Sequence, residues 1–199
     1  MSTATTKVIS PIAILSYPHL AAPQPSTDGK PPKYSATLIF TPETLADPKE
    51  KAFFEGMQKA ALAAIETKWP GKAQQMLQSE TFKKGFRRDA EAKNYPPGSI
   101  FVNVRSSQQP GIVYAHAGPD GKPERMPLEK IKDEMYPGVI VRASLAAFAY
   151  DNNGNKGVSF GLNNLQKLRN GERMDGRVAA ENEFTADLSA EPADIASLI

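Results

Sequence analysis

The sequence predicts a mainly β protein with α insertions, a small Greek-key barrel carrying one main helix and long loops. Three observations carry this. Val139 to Leu165 reads as a β-hairpin folded at Asn153-Gly154, the dipeptide that best supplies two residues of positive φ to a tight turn. Short runs of alternating apolar and polar residues recur before it, giving five or six strands in all. A single long amphipathic segment, 47–68, is inserted among them. Sequential short strands with one inserted helix suit a closed barrel better than a sandwich.

In chain order, residues 1–6 are small and polar and are expected to be disordered. Lys7 to Ser16 reads as a first strand, with Pro11 marking an edge or bulge. Tyr17 to Pro32, rich in proline and holding Asp28-Gly29, reads as a long loop. Lys33 to Phe40 alternates as a second strand. Asp47-Pro48-Lys49-Glu50 starts the main helix with a cap, a first-turn proline and the acid of a capping box. Its apolar stripe is Phe53, Met57, Ala60, Ala61 and Ala64, with Phe54 and Ile65 at the margin; Trp69-Pro70-Gly71 ends it. A short helical piece is expected over 73–78. Ile100 to Arg105 and Gly111 to His116 are further strands, and one or two helical turns fit 128–135. No linker divides two cores, so residues 7–175 form one domain and 176–199 a flexible acidic tail.

Turning the hairpin at Asn153-Gly154 sets its register. Ala149, Ala147 and Leu145 face Val158, Phe160 and Leu162 and line a core. On the other side Tyr150 lies by Gly157, Phe148 by Ser159 and Ser144 by Asn163, with Arg142 further along. Bare rings beside small residues, a cation and amides suit a nucleic-acid base, which stacks on a flat aromatic face. The same pattern also suits rings that cover glycines beneath a helix.

Charge is unevenly spread. Residues 181–199 hold five acidic side chains and no Lys or Arg, while the rest carries 24 basic against 17 acidic. A basic body with an acidic tail fits polyanion binding with a competing tail, and also fits a merely solvated end. Within the body, Lys83, Lys84, Arg87 and Arg88 surround Phe86. Cations interleaved with aromatics suit phosphates with bases beside them; an exposed, solvated loop is the plain alternative.

Enzyme signals are weak, and none is expected to carry catalysis. The two histidines, His19 and His116, have no partner at metal-binding spacing. No phosphate-cradling glycine loop and no nucleophile elbow is present. Asp151 to Asn155 resembles a calcium loop, but its glycine is misplaced and its closing acid would fall on Leu162. The absence of cysteine suits a reducing cytosol. The N-terminal apolar run is too short and too proline-broken for a membrane span. Neither cofactor nor metal is expected.

Tyr136-Pro-Gly followed by VIVRASLAAFAYDNNGNKGVSFGLNNLQKLRNGE resembles a family of phage-encoded single-stranded-DNA-binding proteins, formerly catalogued as a domain of unknown function. KYSATLIFTPE and IFVNVRS are similar to other blocks of that family. The resemblance covers most of 7–175 and is most specific over Tyr150 to Glu172. It implies an OB-fold, a five-stranded barrel that binds single strands without sequence preference. It also implies protection of unwound DNA during phage replication and recombination, in the cytoplasm of the infected host. Many such proteins recruit replication or recombination partners through an acidic tip ending in an aromatic. This chain ends Asp194-Ile-Ala-Ser-Leu-Ile199, without that ring.

From the residues themselves, Lys83, Lys84, Arg87, Arg88, Arg105, Arg142 and Lys156 are expected on phosphates. Phe86, Tyr114, Phe148 and Tyr150 are expected to stack, and Ser144 and Asn163 to add hydrogen bonds. Single-stranded RNA offers the same stacking faces. A virion or replisome assembly protein, meeting a protein partner with its aromatic side, is the other class the residues allow.

Overall fold

Eight strands form one sheet that closes on itself. In the computed structural model, which describes residues 6–25, 29 and 31–176, β1 is Lys7–Ile9, β2 Ala13–Gln24, β3 Lys33–Phe40 and β4 Ile100–Ser106. They are followed by β5 Gly111–Ala117, β6 Pro123–Arg125, β7 Ile140–Asn152 and β8 Asn155–Arg169. β2 pairs with β3, β3 with β4, β7 with β8 and β7 with β2, all antiparallel. β4 and β8 pair parallel. The ring β2-β3-β4-β8-β7 is thus a closed five-stranded barrel, the OB arrangement, and closure removes the open edges a flat sheet would present. β1 borders β7 outside the ring, and β5 and β6 extend it beyond β8.

Alternation decides what fills the barrel. Leu15, Leu38, Val102, Val104, Leu145 and Phe160 are each essentially buried and pack in one cluster. Residues in between point outward. The hairpin turn has φ 50° at Asn153 and 86° at Gly154, as a tight turn of this hand requires.

Helix α1 covers Pro42–Ala46, α2 Pro48–Lys68, α3 Ala73–Gln78 and α4 Ile131–Glu134. Asp47 caps α2, its Oδ1 accepting from the Lys49 amide at 2.8 Å and the Glu50 amide at 3.2 Å. Such a cap is worth about 1 kcal/mol. The stripe of α2 is Phe54, Met57, Ala60, Ala61, Ala64 and Ile65. Phe54 rather than Phe53 enters the core, its ring edge-on to Phe40 at 5.8 Å.

Several expected boundaries move. The first strand is two strands, because Pro11 has no amide hydrogen to continue a ladder. The expected loop from Tyr17 is strand as far as Gln24, carried past its prolines by register shifts. β8 continues to Arg169, four residues beyond the expected hairpin. α1 and β6 carried too weak a periodicity to be expected. The predicted tail, with its acidic run 181–199, lies outside the described residues, as do residues 1–5.

Candidate nucleic-acid interface

Residues paired across neighbouring strands share a face. Ala146 pairs with Gly161, Gly161 with Arg105, Arg105 with Ser35 and Ser35 with His19. This outward row crosses all five barrel strands. Phe148 and Tyr150 stand on the same face, two and four residues along β7 from Ala146. Their ring centroids are 6.5 Å apart and tilted by 50°.

The rings rest on glycine. A Cβ added at Gly157 would stand 2.7 Å from the Tyr150 ring carbon that bears the hydroxyl. At Gly161 it would stand 3.9 Å from the Phe148 ring. At Gly157 only the missing side chain leaves room for the Tyr150 ring, while the Phe148 ring stands at ordinary contact distance over Gly161. They stand over glycines, as one expectation had it, and neither is sealed off. Phe148 is 47% exposed, and Tyr150 is half-buried.

The basic segment reaches this face by an added piece of sheet. Lys83 bridges to Gly157 in parallel, and Arg87 to Phe101 antiparallel. The segment therefore spans from β8 to β4. Its side chains divide between two sides. Lys83 falls beside Tyr150 over Gly157. The Arg87 guanidinium lies 5.2 Å from the Phe101 ring and binds Asp89 at 2.6 Å, holding the Asp89 carboxyl below its usual range. Lys84, Phe86 and Arg88 turn the opposite way and line a groove of about 610 Å³ against α2. Phe86 is wedged edge-on between Phe54 and Phe160, 5.3 Å from each, and belongs to the core wall.

Lys83, Arg105, Phe148 and Tyr150 are thus brought together, with Arg87 at the margin. The other expected residues lie elsewhere. Arg142 donates to Glu50 Oε1 at 2.6 Å and sits 4.5 Å from the Phe53 ring. The other Glu50 oxygen accepts from the Ile12 amide at 2.8 Å, so Arg142 fastens the first turn of α2 to the barrel. Tyr114 stacks on His116 at 4.9 Å and donates to Glu134 at 2.7 Å. Burial and that carboxylate push its hydroxyl up to about 12. Burial also works to raise Glu134, but hydrogen bonds from Tyr114 and Lys167 outweigh it and hold the carboxyl below its usual range. Lys156 pairs with Asp151 at 3.7 Å, on the side of the hairpin opposite Tyr150.

One register expectation needs correction. Ser144 pairs with Asn164, because Asn163 is an extra residue between Leu162 and Asn164 on β8. Such a bulge bends the strand, and here it separates the two polar groups expected to act together.

His19, Ser35 and Asn103 join this face without having been expected there. All lie on the same outward face, and Asn103 Oδ1 accepts from the Thr37 hydroxyl at 2.8 Å. The alternation of KYSATLIF and IFVNVR places Ser35, Asn103 and Arg105 on polar positions. Their meeting follows only from the pairing of β3 with β4.

A family model described as Enterobacter phage Enc34, ssDNA-binding protein, matches residues 6–195. The chain belongs to that family. A curated relative, "Putative protein p50" of Acyrthosiphon pisum secondary endosymbiont phage 1, is 26% identical over 184 residues, covering 88% of this chain and 90% of its own. The family's fold recurs in the single-stranded DNA-binding protein of bacteriophage Enc34, solved in complex with ssDNA. That chain superposes with a TM-score of 0.66 at 19% identity, over 85% of this chain and 89% of its own. Gp2.5, the single-stranded DNA-binding protein encoded by bacteriophage T7, superposes with a TM-score of 0.56 at 12% identity, over 88% and 98%. Among the described residues, no helix is long and apolar enough to cross a membrane.

Proposed function

We propose that this chain holds single-stranded DNA without regard to sequence across the outward face of its barrel. It would act as a non-enzymatic cover for unwound phage DNA during replication and recombination, in the host cytoplasm. One observation supports this above the rest: exposed Phe148 and half-buried Tyr150 stand over Gly161 and Gly157, with Lys83 and Arg105 on the same face.

Each part has a task. Phe148 and Tyr150 offer π-faces that every base can stack on, which makes the contact indifferent to sequence. Lys83 and Arg105, with Arg87 at the edge, neutralise phosphates, and Ser35 and Asn103 supply hydrogen bonds that adapt to whichever base passes. Arg142 acts indirectly, by holding α2. Lys84 and Arg88 face the α2 groove and meet only a strand that leaves the barrel face.

The test is a salt-series titration of matched single-stranded DNA, double-stranded DNA and single-stranded RNA oligomers. Three phosphate contacts on a single strand give a log–log slope of about −2. Preference for single-stranded DNA with that slope supports the reading. Equal affinity for the duplex, or binding indifferent to salt, rejects it, and preference for RNA reassigns the ligand.

A further inference from the structure

β2 loses step with β3 at one place. Ser16 pairs with Thr37 and His19 with Ser35, so Tyr17 and Pro18 together oppose the single residue Ala36. Tyr17 has φ +44°. A two-against-one bulge whose first residue is left-handed is a geometry that glycine adopts without steric conflict. Here the chain places tyrosine, whose Cβ meets the neighbouring carbonyl in that conformation.

The fold draws little return from this ring. Tyr17 is 62% exposed, and no hydrogen bond or ring contact holds it among the described residues. A bulky side chain kept at a strained position, with no packing to justify it, points to a role outside folding. Its surroundings suggest which one. Tyr17 and His19 line a depression of about 570 Å³ with Lys132, Tyr136, Arg173 and Asp175; Arg173 is paired with Asp175 at 3.0 Å, so Lys132 is the cation left to a phosphate. The Arg173 guanidinium lies 4.4 Å from the Tyr136 ring. Aromatic faces beside cations, in a volume of this size, suit a nucleobase and its phosphate. His19 also ends the row that begins under Phe148, two strand spacings or roughly 10 Å beyond Arg105.

We propose that the β2 bulge is a second nucleotide seat, with Tyr17 as its stacking platform for a base of the same strand after it leaves Arg105. This rests on the reading of the barrel face above. The test is Tyr17→Gly, which keeps the bulge while removing both ring and strain. The thermal midpoint should hold or rise. Affinity for oligo-dT should fall about 5- to 150-fold, and the occluded site should shorten by about one nucleotide. Tyr17→Phe should bind like the parent protein, since stacking needs the ring and not the hydroxyl.

Unchanged affinity and site size in Tyr17→Gly, while Phe148→Ala still binds weakly, overturns the second seat and leaves the barrel face standing. A lower midpoint also overturns it, because Tyr17 would then serve the fold. A parent protein that does not bind oligo-dT removes the underlying reading instead.

Discussion

Phe148→Ala separates binding from folding more cleanly than any other change on the face. The ring is 47% exposed, so only about half of its surface leaves water when the chain folds. Full burial of a phenylalanine is worth about 1.5–3 kcal/mol, which puts the loss here near 1 kcal/mol. That is well below the ~3–5 kcal/mol of a phenylalanine removed from a core. For a chain of this size it corresponds to a fall in melting temperature of about 2–4 °C. The lost stacking is worth about 1–3 kcal/mol per base, so the dissociation constant should rise about 5- to 150-fold. Fluorescence anisotropy with labelled oligo-dT, repeated over a salt series beside a thermal melt, reads both quantities. The salt slope should not change, because a ring neutralises no phosphate. Phe148→Trp should bind at least as well as the parent. An affinity that stays put would refute the stacking argument. So would an affinity loss accompanied by a shallower slope, which would mean that the mutation had displaced cations.

Arg105→Ala should flatten the salt slope by about 0.7, one phosphate's share on a single strand, with the melting temperature nearly unchanged. Gly157→Ala should weaken oligo-dT binding, because the new Cβ would stand 2.7 Å from both the Tyr150 ring and the Lys83 Cβ and must push both aside; normal affinity in the same titration would show that those two positions do not matter. Arg142→Ala should cost about 2–3 kcal/mol in a urea melt, since it strands a Glu50 side chain that is only 9% exposed. Its salt slope should match the parent's, and a slope flattened like that of Arg105→Ala would put Arg142 on a phosphate.

Much of the barrel was legible because its signals are local. Asn153-Gly154 set the hairpin register from Tyr150 through Leu145, and β7 and β8 pair accordingly. Asp47-Pro48 set the start of α2, and its cap bonds form there. The expectations that moved depend on partners far along the chain. Nothing near Tyr17 announces that residues 17–24 will pair with β3 despite two prolines. Phe53 and Phe54 part between a ring contact with Arg142, 89 positions from Phe53, and the core. That cation takes Phe53 as a ring partner and leaves Phe54 to Phe40.

The site was half legible for a related reason. Composition marks Lys83 to Arg88 as basic and aromatic, but it treats the run as one patch. Once the run bridges β8 at Lys83 and β4 at Arg87, with a bend at Gly85 between them, its side chains part to two sides. Lys83 goes with Tyr150, while Lys84, Phe86 and Arg88 go to the α2 groove. The two bridges fix where Lys83 and Arg87 lie. The same constraint works in favour of Arg105, which no local cluster marks out. The parallel pairing of β4 with β8 puts it opposite Gly161 and so beside Phe148. The proposed interface is therefore a product of barrel closure, in which pairing gathers residues that composition leaves scattered and divides a cluster that composition shows as whole.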